Sequence, residues 1–141
     1  MQTGTTALPR KRLIVVATID NVIEGALGKQ LRGLDYDVHF VRKGSELLLE
    51  ALENDVDVLI LDLEVVGMSG MDILPILRKM RPRLPIILIT EDYTYRVRKV
   101  VAEQGITYQT FKPMTPAEAG MIRLAAEKIL QKKNVVELTL V

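Results

Sequence analysis

The 141-residue chain contains no cysteine. Disulfides and thiolate-held zinc are therefore excluded, and a reducing compartment is compatible. A strong charge of either sign is also missing. The formal net charge is +1, so no bulk field draws the chain to nucleic acid or to a membrane surface. Residues Met1 to Arg12 hold no apolar core of signal-peptide length, and no later run approaches a membrane span. The expected location is cytoplasmic, with no membrane partner and no direct nucleic-acid contact. No strand is followed by a glycine-rich phosphate loop, which weighs against a nucleotide binder or a flavodoxin-like enzyme. Internal repeats and low-complexity tracts are absent. The single histidine, His39, falls on a predicted strand and reads as a strand side chain rather than a general base or phosphocarrier.

What is present is the composition of one soluble globular domain, 48% apolar and 26% charged. Its centre is Val56-Asp57-Val58-Leu59-Ile60-Leu61-Asp62, a nearly continuous apolar run that ends in a carboxylate. Such a run reads as a strand buried on both faces of a parallel sheet. Asp57 is expected at the solvated start of that strand. Asp62 is expected at the carboxyl end, where open α/β sheets place their chemistry.

Residues 1–11 read as a flexible tail closing on Arg10-Lys11-Arg12. Leu13 to Ala17 reads as the first strand. Asp20 and Asn21 offer N-caps to a helix with Glu24 in a capping-box position and Val22, Ile23, Ala26, Leu27, Leu31 and Leu34 at helical spacing. Tyr36 to Val41 is a strand with one wetter face. Gly44-Ser45 opens a helix that buries Leu47, Leu48, Ala51 and Leu52. Beyond the loop at Gly67 to Gly70, Ile73, Leu74, Ile76, Leu77 and Met80 form a helix, with Pro75 in its first turn or at a kink. Pro85 to Thr90 is a strand. Tyr93 to Gln104 is a basic helix for which Gly105 suits the C-cap. Tyr108 to Phe111 is a strand closed by Lys112-Pro113. Thr115, Pro116 and Glu118 start a last helix that runs to about Lys132. Residues 132–141 are left as an extension or linker, with an added strand or a dimer contact at Val135 to Val141 as open alternatives. Five strands alternating with five helices predict a parallel sheet covered on both faces.

Three strand ends then deliver Asp62, Thr90 and Lys112 to one rim. A carboxylate there can attack phosphorus, and a hydroxyl with an ammonium can hold the transferred oxygens. Gly70 follows Asp62 by eight residues (70−62), Thr90 by twenty-eight (90−62) and Lys112-Pro113 by fifty (112−62). With Tyr36, Gly44 and Gly105, these spacings resemble the receiver domain of bacterial response regulators over residues 12–131. The resemblance implies a flavodoxin-like (βα)5 fold with strand order 2-1-3-4-5, and a signalling module rather than an enzyme. Asp62 would be the phosphoacceptor, Thr90 the switch hydroxyl and Lys112 the phosphate-contacting lysine, with a cis Lys112-Pro113 bond. It further implies a histidine kinase or phosphotransfer protein as partner. The output face would be made by the fourth helix, fifth strand and fifth helix, carrying Tyr93, Tyr95, Arg96, Arg98, Lys99 and Tyr108, and available to a homodimer.

The chain departs from the receiver pattern at the metal. The acidic pair after the first strand falls on Ala17 and Thr18 in one register and on Thr18 and Ile19 in the other. That leaves Asp62, Asp20 and the backbone carbonyl of Glu64 as candidate ligands, and Mg²⁺ is expected to bind weakly or not at all. Val65-Val66, Glu91 after the switch hydroxyl and Gln109 at the aromatic switch position depart as well. Two readings follow: a receiver that is phosphorylated weakly, and a pseudo-receiver that signals without phosphorylation.

Overall fold

The computed structural model describes residues 11–33, 35–65, 67–91 and 94–140, with 134–140 as helix backbone. Residues 1–10 of the expected 1–11 tail, together with Leu34, Val66, Tyr93 and Val141, lie outside the described residues. In chain order the elements are β1 (Arg12–Ala17), α1 (Asn21–Leu31), β2 (Tyr36–Val41), α2 (Gly44–Glu53), β3 (Val58–Asp62), β4 (Glu64–Val65), β5 (Met68–Ser69), α3 (Gly70–Met80), β6 (Ile86–Thr90), α4 (Tyr95–Gln104), β7 (Tyr108–Phe111) and α5 (Pro116–Leu140). The five long strands pair in parallel in the order β2-β1-β3-β6-β7. This is the expected 2-1-3-4-5 order, because β4 and β5 are only a two-residue antiparallel hairpin inside the loop after Asp62.

The sheet is central because its strands alternate two apolar faces. Val15, Ala17, Leu59, Leu61, Ile86 and Leu88 pack with α2 and α3. Ile14, Val16, Val58, Ile60, Ile87 and Ile89 pack with α1 and α5. Every residue of β3 is buried, and each such Leu or Ile contributes about 1.5–3 kcal/mol relative to exposure. Among the described residues no helix is long and apolar enough to cross a membrane.

Asp57 corrects the expectation of a solvated strand start. It is buried, accepts the Leu13 amide at 2.8 Å, and is paired with Arg12 at 3.4 Å and Lys133 at 3.2 Å. A carboxylate can be buried there because two cations and an amide satisfy it. Both cations are far away in sequence, so the local pattern around Val56 carried no sign of them.

Several element edges also differ from expectation. The carboxylate of Asp20 caps α1 by accepting from Val22 and Ile23, which leaves Asn21 as the first helical residue. Glu24 accepts from Arg42 and makes no capping box. Thr94 caps α4, so that helix begins at Tyr95 rather than at residue 93. Pro75 lies inside α3, past its first turn. Val22, Leu52 and Ile76 are exposed because each helix buries a single stripe. Gly105 ends α4 in the left-handed conformation at φ 62°, as its C-cap role requires. The last helix does not stop near Lys132: α5 continues to Leu140, so Val135 to Leu140 is helical and not a strand.

Candidate functional site at the carboxyl rim of the sheet

Strand register builds the site. Ala17 pairs with Leu61, Asp62 with Ile89, and Thr90 with Phe111. The residues just past these pairs therefore share one rim. Asp62 is 1% exposed and Thr18 is 1% exposed. Lys112 follows β7, where its amide donates to the Thr90 carbonyl at 2.9 Å and its peptide bond to Pro113 is cis.

Both oxygens of Asp62 are engaged. Oδ2 accepts the Thr18 hydroxyl at 2.7 Å. Oδ1 accepts the Glu64 amide at 3.0 Å and faces the Lys112 ammonium at 3.1 Å. Lys112 also reaches the half-exposed Glu64 carboxylate at 3.7 Å. Burial alone would lower the Lys112 pKa. The hydrogen bond and charge of Asp62 outweigh it, helped by Glu64 and Asp20, and the net shift is upward. The ammonium is therefore a fixed positive charge at any physiological pH.

The four expected side chains Asp62, Lys112, Thr90 and Asp20 do not all converge. Asp62 and Lys112 meet directly. The Thr90 hydroxyl sits on the same rim and accepts from Gln109 Nε2 at 3.3 Å. Asp20 is turned onto the amides of α1 and presents only a long-range charge to Lys112. Sequence reasoning placed Thr18 where an acid is missing but did not foresee its bond to Asp62. The Gln109–Thr90 bond was also missed; two polar side chains on neighbouring strands are the only signal for it. Tyr108 lies on the opposite face of β7 from Gln109, against the α5 side of the core.

Receiver domains generally hold Mg²⁺ beside the acceptor carboxylate, and the donors present here do not fit that ion. Mg²⁺ needs hard oxygens in octahedral array at about 2.0–2.1 Å. The candidate set is Asp62, the Glu64 carbonyl and Asp20. Asp62 already carries a hydroxyl, an amide and an ammonium, and Asp20 is committed to a helix end. A neutral Thr18 hydroxyl stands where a carboxylate would complete the set. Among the described residues no cluster of three or more His, Cys, Asp or Glu is placed to hold a metal.

The loop after Asp62 is closed by a near contact at Gly70. Its amide donates to the Leu63 carbonyl at 2.9 Å, and a Cβ would lie 2.8 Å from Leu63 Cα. Gly70→Ala is expected to cost about 1–2 kcal/mol by pushing this backbone aside, as measured by denaturant unfolding.

Residues 14–134 match the response regulator receiver domain family. The chain is 26% identical over 121 residues to the DNA-binding transcriptional regulator NtrC of Bradyrhizobium sp., covering 86% of this chain and 25% of that protein. It is 33% identical over 110 residues to the DNA-binding response regulator MtrA of Mycolicibacterium smegmatis, covering 77% of this chain and 47% of that protein. It thus spans between a quarter and a half of these relatives. Its fold is similar to the signal receiver domain of an HD domain-containing protein from Pseudomonas fluorescens Pf-5 (TM-score 0.76, 24% identity, 89% of this chain and 99% of that one). A CheY-like receiver domain protein from Methanospirillum hungatei shares it too (TM-score 0.75, 18% identity, 89% and 98%). Because the match runs through nearly every element of the sheet and its helices, the chain belongs to the response regulator receiver domain family of two-component signalling.

Proposed function

We propose that this chain is a receiver whose Asp62 takes a phosphoryl group weakly, with Mg²⁺ weak or absent, and whose output passes through protein contacts. The observation that carries this reading is the Asp62–Lys112 ion pair closed on its other side by Thr18. A nucleophilic oxygen that accepts a hydroxyl proton or faces an ammonium is less available to attack phosphorus. Lys112 would be the main cation offsetting the incoming charge, with the carboxylates of Asp62, Glu64 and Asp20 nearby. Gln109, by holding Thr90, supports the second reading, a phosphorylation-independent pseudo-receiver.

A histidine kinase or phosphotransfer protein is the proposed donor partner, in the cytoplasm, with no membrane and no direct nucleic-acid contact. The exposed α4 face carries Tyr95 (74% exposed), Arg96, Arg98 and Lys99. Aromatic and arginine side chains of this kind suit a partner with an acidic surface. Self-association on the face of α4, β7 and α5 narrows to its α5 side, because two copies of the basic α4 would repel. Incubation with a small acyl phosphate and Mg²⁺, read by intact mass, tests the reading. Substoichiometric phosphate on Asp62 is expected, and complete conversion would retire it.

A further inference from the structure

We infer that the amino end of the sheet carries a second binding site, for an aromatic carboxylate, in a groove between α5 and the starts of β6 and β7. The groove has a volume of about 450 Å³, within the range of about 300–1,000 Å³ that holds small organic ligands. Its apolar walls are Pro85, Tyr108, Ala125 and Ile129. Pro85 precedes β6 and Thr107 precedes β7, so the groove opens at the end of the sheet opposite Asp62. Its floor is built in advance. The Pro85 carbonyl accepts from the Leu59 amide at 3.0 Å, and the Thr107 amide donates to the Ile86 carbonyl at 2.9 Å. Tyr108, Ala125 and Ile129 are partly buried against the core on the α1 and α5 side. Little of the binding energy is therefore spent on ordering the walls. Ala125 keeps the space open, because a longer side chain there would fill it. The proline and tyrosine rings offer flat surfaces, which suit a planar aromatic body stacked on Tyr108.

Charge selects the other end of the ligand. Three of the eight lining residues are lysines, Lys128, Lys132 and Lys133, and none is an acid. Lys128 and Lys132 are exposed and stand one turn apart on α5. Among the described residues neither is held in an ion pair. Like charges at this spacing repel, and an anion between them relieves the repulsion. Lys133 is already on Asp57 at 3.2 Å, so Lys128 and Lys132 are the anchors for the carboxylate. A neutral aromatic would leave the two ammonium groups uncompensated, and a bare inorganic anion would leave the apolar walls wet. The site stands apart from phosphorylation of Asp62, so the acyl phosphate assay and a binding assay here can fail separately.

The test is calorimetric titration of the full chain with 2-naphthoate, with the site mapped by NMR shifts. One equivalent is expected to bind with a Kd of about 30–300 μM, shifting Thr107, Tyr108, Ala125 and Ile129. Neutral 2-naphthamide and inorganic phosphate should each bind at least about fivefold more weakly. Combining Lys128→Gln with Lys132→Gln should weaken naphthoate by about fivefold or more, and added salt should act in the same direction. Ala125→Leu should abolish binding by filling the groove, with its melting midpoint showing that the fold is kept. The lysine pair, on exposed positions, decides the case should Ala125→Leu fail to fold. No saturation by about 1 mM naphthoate overturns the inference. So does equal affinity for the amide or for phosphate, or indifference to either set of substitutions. Ligand shifts centred on the Asp62 rim or on the arginines of α4 overturn it too. Shifts at Tyr108 and Ile129 that grow with protein concentration alone would mean that a second copy fills the groove, which also overturns it.

Discussion

Lys112→Ala lowers the stability of this domain at neutral pH by about 3–5 kcal/mol, the largest loss expected from any single truncation at the rim. Asp62 is buried, and removing the ammonium at 3.1 Å leaves its charge with only a hydroxyl and an amide. The penalty comes from the uncompensated carboxylate, so Asp62→Asn combined with Lys112→Met costs less than the two single changes summed. The pH window follows from the lysine. Its folded pKa is raised above the usual 10.5, so its contribution is complete below the unfolded value. That contribution is lost as pH rises through the folded value. Urea unfolding of wild type and variant should thus differ by a constant amount through neutral pH and converge in strong alkali.

Thr18→Asp converts the rim into a metal-dependent site. The substitution places a second carboxylate where the Thr18 hydroxyl now donates to Asp62 at 2.7 Å. Two buried like charges sharing one lysine should cost about 2–4 kcal/mol without a divalent ion. Adding Mg²⁺ at about 10 mM should return most of that loss, since a ligand that binds only the folded state adds stability with the logarithm of its concentration. The same variant should take more phosphate from an acyl phosphate than the wild type does. A Thr18→Asp domain whose melting ignores Mg²⁺ would mean that the missing acid is not what the site lacks.

The apolar runs made the sheet legible in the sequence because its three inner strands, β1, β3 and β6, are buried on both faces and read without alternation, while the edge strands β2 and β7 are only partly buried. The rim was legible for a related reason: strands of fixed register deliver their last residues to one edge, so Asp62, Thr90 and Lys112 could be grouped from spacing alone. What stayed hidden depends on side chains that meet across the fold. Asp57 reads locally as a strand-end acid, and only the arrival of Arg12 and Lys133 makes its burial tolerable. Glu118 looks like a capping-box glutamate, yet its carboxylate bonds the Thr110 hydroxyl on β7. Thr18 was visible as a missing carboxylate and invisible as a hydrogen-bond donor. The end of α5 was misjudged because its sequence past Lys132 alternates weakly, while a helix already docked for four turns propagates at little cost.

Thermal unfolding of the wild-type chain across a Mg²⁺ titration tests the central claim most directly. With Asp62 already held by Thr18, Glu64 and Lys112, the midpoint should stay unchanged up to about 10 mM Mg²⁺. A midpoint that climbs through the micromolar range would contradict it. A site with a dissociation constant near 0.1 mM, for comparison, would add about 2.7 kcal/mol at about 10 mM.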